Sequence, residues 1–183
     1  MLVELLANFE GMKAIGLDLS EEMCKAFRYN AQKYDMEGRM ECYEGDVRQM
    51  KQVIPAKVLE EVDIVHGGSI LNEFFRNDEE GEAINFLKMV RECFEGKDIL
   101  MVLFDYYGIL GKPNSEKFFG SHRHTVLHDM LQSISGQGVP PENLFHYKRI
   151  YEKAGWKLFD YAESFHFQMH SFVHFLSPIS SEN

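Results

Sequence analysis

The chain holds only three cysteines, Cys24, Cys42 and Cys93, an odd number with no C-x-x-C pair among them. Neither a disulfide framework nor a zinc knuckle is signalled, and reduced thiols in the cytoplasm fit best. Long apolar runs are missing too. The strongest, "ILMVLF" at 99–104, is far short of the ~20 residues that cross a bilayer, and no charged-then-apolar leader opens the chain, so no membrane partner is expected. Basic residues are the minority: 19 Lys and Arg against 29 Asp and Glu give a formal net charge of -10. A nucleic-acid partner would need a basic face to neutralise phosphates. A small-molecule substrate is therefore the expectation. No internal repeat and no low-complexity tract interrupts the sequence.

What is present is the composition of a globular protein, 45% hydrophobic and 26% charged, at a length that a single domain over 1–183 accommodates. Strand and helix signals alternate, which points to an α/β architecture with a mostly parallel sheet. "MLVELLANFEG" has helical spacing and stops at Gly11, and "KAIGLDL" is a strand. Ser20 then caps a helix that opens with Glu21 and Glu22. "MECYEGDV" and "VDIVHGG" read as strands on either side of a helical stretch broken by Pro55. A helix ending at "CFEG" leads to "KDILMVLFDYY", apolar enough to be a central strand covered on both faces. Residues 108–141 are richer in Gly, Pro, Ser and His around a short helix "TVLHDMLQSI". Long excursions of that kind are usually lids or binding loops. A last helix ending "YEKAGW" precedes two closing strands, "KLFDYAESFHF" and "HSFVHFLSPI".

This order, with a strand ending "GLDLS", another ending "GDV", and a close on "AGW" plus two strands, resembles the class I S-adenosylmethionine-dependent methyltransferases over nearly the whole chain. The resemblance implies a Rossmann-like, doubly wound, mostly parallel sheet with a C-terminal antiparallel strand pair. It implies S-adenosyl-L-methionine as cofactor and O- or N-methylation of a small molecule. Asp18 would accept from the ribose hydroxyls, a task suited to a carboxylate, which only accepts. Leu19 and Met23 would lie against adenine or ribose, Asp46 and Val47 would meet the adenine edge, and His66 and Gly67 would border the methionine part. Apart from the family pattern, Asp18 and Asp46 also read as turn or capping acids. "SILNEFFRNDEE" is similar to the segment that carries a histidine base in the oxygen-directed members. Asn72 and Glu73 stand there instead.

The first strand and glycine-rich loop of that family have no counterpart here, since Gly11 ends a helix and Gly16 lies inside a strand. Weak cofactor binding and impaired activity are expected of this truncated chain by itself. The alternative is a degenerate or partial methyltransferase domain acting as a non-catalytic binding module. A nicotinamide-dependent dehydrogenase would need a late Tyr-x-x-x-Lys pair, and the sole such spacing, Tyr29 to Lys33, lies in the helix directly after Asp18.

The acceptor side is sought in the 108–141 insertion. His122, His124 and His128 are candidate bases alongside Tyr106, with His124 and His128 one helical turn apart. Arg123 could hold a carboxylate, and Asn72, Tyr106 and Tyr107 are further candidates for substrate contact. Capping or surface roles for the histidines stay open. No metal is expected, because H-x-x-x-H here lacks the adjacent glutamate of the zinc-protease signature. Phe165, Phe167, Phe172 and Phe175 alternate as core residues would, and His166, His170 and His174 on the same strands read as structural.

Overall fold

The structure is a computed structural model that describes residues 2–76 and 80–179. Residues 77–79, within the "SILNEFFRNDEE" segment, lie outside the described residues. Contacts divide the chain into two compact units, Met1–Glu61 and Val62–Asn183.

In the first unit, α1 (Leu2–Asn8) leads to β1 (Ala14–Asp18), α2 (Glu21–Lys33) and β2 (Met40–Glu44). The two strands pair in parallel, from Ala14 opposite Met40 to Asp18 opposite Glu44. Parallel neighbours need a crossover, and α2 supplies it. Its start is fixed by Ser20, whose hydroxyl accepts from the Met23 amide at 3.4 Å. Leu6, Ala14, Ala31 and Met40 form the core. Arg39 then closes α1 by donating to the carbonyls of Leu6 (2.8 Å), Phe9 (2.6 Å) and Met12 (2.9 Å). A helix leaves its last carbonyls unpaired, so one guanidinium satisfies what the helix cannot. After β2 come a 3-10 turn (Val47–Gln49), α3 (Met50–Val53) and α4 (Ala56–Glu60), with Pro55 at the break between the two helices.

The second unit holds β3 (Ile64–Gly68), a 3-10 turn (Leu71–Phe74), α5 (Gly81–Cys93) and β4 (Leu100–Tyr106). A second 3-10 turn (Ser115–Lys117) follows, then α6 (Arg123–Ser135), α7 (Leu144–Lys153), β5 (Trp156–His166) and β6 (Met169–Pro178). The sheet order is β3-β4-β6-β5, with β3 parallel to β4 and β6 antiparallel to both of its neighbours. The closing pair thus contributes one reversed strand, as the sequence predicts. Register places Met101, Leu103 and Asp105 of β4 opposite Leu176, His174 and Phe172 of β6, and all six are buried. Tyr147 and Tyr151 of α7 pack on this face, and the Trp156 indole donates to the Leu87 carbonyl of α5 at 3.0 Å.

Two expectations change. β4 is internal but not covered on both faces: Leu100 and Val102 are half-buried and Phe104 is 43% exposed, because α5 and α7 share the opposite side. Phe165 and Phe167 are not core residues, at 54% and 72% exposed, whereas Phe172 is buried. The cause is length. Ten residues of α7 span about 15 Å, while eleven residues of β5 reach about 36 Å, so the far end of the hairpin extends beyond the helix that covers its base.

Residues 108–141 are fastened at the carboxyl ends of β3 and β4. Asp129 of α6 accepts from the Tyr106 hydroxyl (2.9 Å) and from the amides of Ile109 (2.7 Å) and Leu110 (2.9 Å). Gly138, at φ 77°, lies so close to Phe75 that a Cβ would stand 1.8 Å from its carbonyl oxygen. No other residue fits that position. Asp105 makes a similar tie, accepting from the amides of Asn72 (3.0 Å) and Tyr106 (2.9 Å).

Burial pushes the Asp105 carboxyl up to about 7 against the pull of those amides. In the unfolded chain it titrates near about 3.9. Between these values only the folded state holds the proton, so this contribution to stability falls as pH rises from about 4 to about 7 and is level beyond. Urea unfolding of the protein and of Asp105→Asn across that window is expected to show the wild type losing ground at up to about 1.4 kcal/mol per pH unit. A pH-independent difference would contradict the assignment.

The β5–β6 turn gives a second expectation. Phe167 (φ 47°) and Gln168 (φ 59°) both adopt left-handed backbone between the paired His166 and Met169. Asn-Gly suits such a turn, and ordinary residues there cost roughly 1–2 kcal/mol each. Phe167→Asn with Gln168→Gly should raise stability by about 1 kcal/mol, read as a melting temperature about 2–4 °C higher.

Candidate active site

Asp18, the last residue of β1, is half-buried, and its Oδ1 accepts from the Ser20 amide at 2.8 Å. No described residue occupies its other oxygen. Leu19 and Met23 beside it are 73% and 59% exposed, large apolar side chains left uncovered at the mouth of a strand. Asp46 is placed differently. It caps the turn after β2, accepts from the Arg48 amide at 2.9 Å, and has both carboxylate oxygens held by the Arg48 guanidinium. Arg48 keeps the Asp46 carboxyl below the usual range. Val47 is half-buried in the same turn.

In the second unit, His66 is exposed on β3. The missing side chain of Gly67 is accounted for by packing, since a Cβ there would meet Ile70 at 2.8 Å and Leu103 at 2.9 Å. Asn72 is buried, with its side-chain oxygen unpartnered among the described residues.

A cavity of about 230 Å³ opens after β4. Tyr107, Phe118 and His122 supply aromatic wall, and Lys112, Ser115, Glu142 and His170 supply polar groups. Of the candidate histidines only His122 lines it. His122 stands before the first turn of α6, with Nδ1 2.9 Å from the Ser121 hydroxyl and its ring near those of Phe118 and Phe165. Arg123 and His124 are exposed on the helix, and His128 is half-buried with its ring against Tyr106 at 4.7 Å. Tyr106 is committed to Asp129, and burial, with that acid beside it, pushes its hydroxyl well above the usual range. Of Tyr106 and Tyr107, only Tyr107 faces the cavity.

Behind Tyr107 runs a chain of hydrogen bonds that sequence reasoning missed. The Tyr107 hydroxyl donates to Glu163 at 2.6 Å and lies 3.2 Å from His174 Nε2. Its one proton goes to the carboxylate, so the His174 Nε2–H donates to the Tyr107 oxygen. Nδ1 of His174 must then accept, and the Tyr151 hydroxyl donates to it at 2.8 Å. Every polar atom of this buried group has a partner in that one tautomer. Burial pulls His174 down to about 3, so the ring stays neutral. The other oxygen of Glu163 lies 3.3 Å from His170 Nε2. The alternation of β5 and β6 placed these residues on strands, but it held no signal that Glu163 and His170 would be diagonal neighbours.

No family model matches the sequence, and no curated protein matches it. Solved structures do. The mitomycin 7-O-methyltransferase MmcR matches with a TM-score of 0.69 at 14% identity over 97% of this chain and 45% of its own. NcsB1, an O-methyltransferase from neocarzinostatin biosynthesis solved with S-adenosylmethionine and 2-hydroxy-5-methyl naphthoic acid, matches with 0.64 at 14% over 97% and 45%. LepI, solved with S-adenosylmethionine, gives 0.64 at 14% over 97% and 39%. The chain thus spans less than half the length of each. Its fold, parallel strands closed by an antiparallel C-terminal pair, is the α/β fold of these structures.

Proposed function

We propose that this chain carries cofactor-binding and acceptor-binding elements of an S-adenosylmethionine-dependent methyltransferase acting on oxygen or nitrogen of a small molecule. The observation that carries the reading is Asp18. It ends a parallel strand with one oxygen anchored by the Ser20 amide and the other open, beside uncovered Leu19 and Met23. A carboxylate so held is prepared to accept from a ribose diol, and the two apolar side chains suit the flat base or the sugar. Asp46 and Val47 meet the adenine edge once Arg48 releases the acid. The fold shared with methyltransferases supports the same assignment.

The bound cofactor supplies an electrophilic methyl group on a sulfonium. The chain's own residues align the acceptor and remove its proton. The cavity after β4 suits a small ring, with Tyr107 and Phe118 as walls and the 108–141 segment as its cover. Asn72, Arg123, His124 and His128 lie outside this lining. A second reading, a binding module without catalysis, is favoured by the Arg48 clamp on Asp46.

Residues 1–18 contain no G-x-G turn, which makes the affinity of this chain by itself low. Calorimetric titration with S-adenosylhomocysteine is expected to give binding weaker than micromolar, short of about -8 kcal/mol, and Asp18→Ala should weaken it at least about tenfold. Affinity unchanged in that variant would remove the reading.

A further inference from the structure

Glu163 and His170, on neighbouring strands of the β5–β6 hairpin, make a carboxylate–imidazole pair at the cavity wall. We propose that His170 is the base that takes the acceptor's proton, with Glu163 as its positioning residue. The inference rests on the methyl-transfer reading for its purpose, though not for its geometry.

Three observations converge. His170 lines the cavity, and its Nε2 lies 3.3 Å from Glu163 Oε2. A carboxylate beside Nε2 favours the tautomer with the hydrogen there and the lone pair on Nδ1. No described residue occupies Nδ1. The ring is also fixed in place, meeting Tyr107 edge-on with centroids 4.7 Å apart. Glu163 is held from behind, because Tyr107 donates to its other oxygen at 2.6 Å and is itself held by His174. A base oriented by an acid, which is oriented by a buried hydroxyl, is the arrangement that proton removal needs. His122 shares the cavity, but among the described residues it has only the Ser121 hydroxyl against Nδ1 and no carboxylate behind it.

The step balances within the chain. The acceptor O–H bond breaks, oxygen keeps the electron pair, and the proton binds Nδ1 of His170. The imidazolium charge is met by Glu163. The proton later leaves to water, since the His170 side chain is 37% exposed.

The test uses 4-nitrophenol, whose phenolate absorbs in the visible, at a pH one unit below its own pKa and without cofactor. The protein is expected to bind the probe largely as phenolate. His170→Gln should bind it un-ionised, and Glu163→Gln, which keeps the shape and removes the charge, should lower the ionised fraction about tenfold. In the 15N spectrum the His170 ring should show protonated Nε2 and bare Nδ1, a preference lost in Glu163→Ala. Circular dichroism of each variant checks that the fold is retained. Failure of the probe to bind, binding without ionisation, or ionisation that survives His170→Gln and disappears in His122→Gln would each overturn the proposal. S-adenosylhomocysteine affinity unchanged by Asp18→Ala, with probe ionisation intact, would remove the methyl-transfer reading alone.

Discussion

The second unit is organised around one buried imidazole. His174 is fully enclosed, stacked on Phe172 with ring centroids 3.7 Å apart, and both of its nitrogens are bonded to tyrosine hydroxyls. A buried polar group without a partner costs about 1–3 kcal/mol, so the ring is tolerable only while Tyr107 and Tyr151 both stay in place. Those two residues come from just after β4 and from α7. Sheet, helix and cavity wall are therefore coupled through a group that must remain neutral. Packing alone would let these elements shift, whereas directional bonds fix their mutual position.

Carboxylates do the corresponding work for the loops. Asp129 gathers the chain after β4 by accepting from two successive amides and a tyrosine, and Asp105 gathers the turn after β3. Burial raises both acids above their usual range, in each case against hydrogen bonds that favour the charged form. Both loops are thus held by acids whose charged form burial disfavours. Glu80 shows the opposite balance at the start of α5. Burial pushes it up, but Lys153, His146 and Arg149 outweigh that and hold it at about 2.

The first unit makes a contrast between two acids that sequence motifs treat alike. Asp18 and Asp46 both follow a strand, yet one keeps an open oxygen and the other is clamped by Arg48. The difference lies two residues downstream. Ser20 offers Asp18 only a backbone amide, while Arg48 offers Asp46 an amide and a guanidinium that matches both oxygens. A motif read as strand plus acid cannot distinguish them.

The sequence by itself determined the elements and their order, because helical and strand periodicities, the Ser20 cap and the Pro55 break are local properties of neighbouring residues. It also located Asp18 at a strand end and the 108–141 excursion, since composition marks both. Tertiary structure alone decided which histidines share a cavity. His122, just before α6, does, and His128, six residues on within α6, packs on Tyr106 instead, a matter of helix rotation against the sheet. The Glu163–His170 pair depends on the register of β5 against β6, and that register is set by a turn of Phe167 and Gln168, residues that carry none of the usual signals for left-handed backbone. A shift of one residue there would turn every side chain of the hairpin to the opposite face, so the cavity's chemistry is a property of the fold.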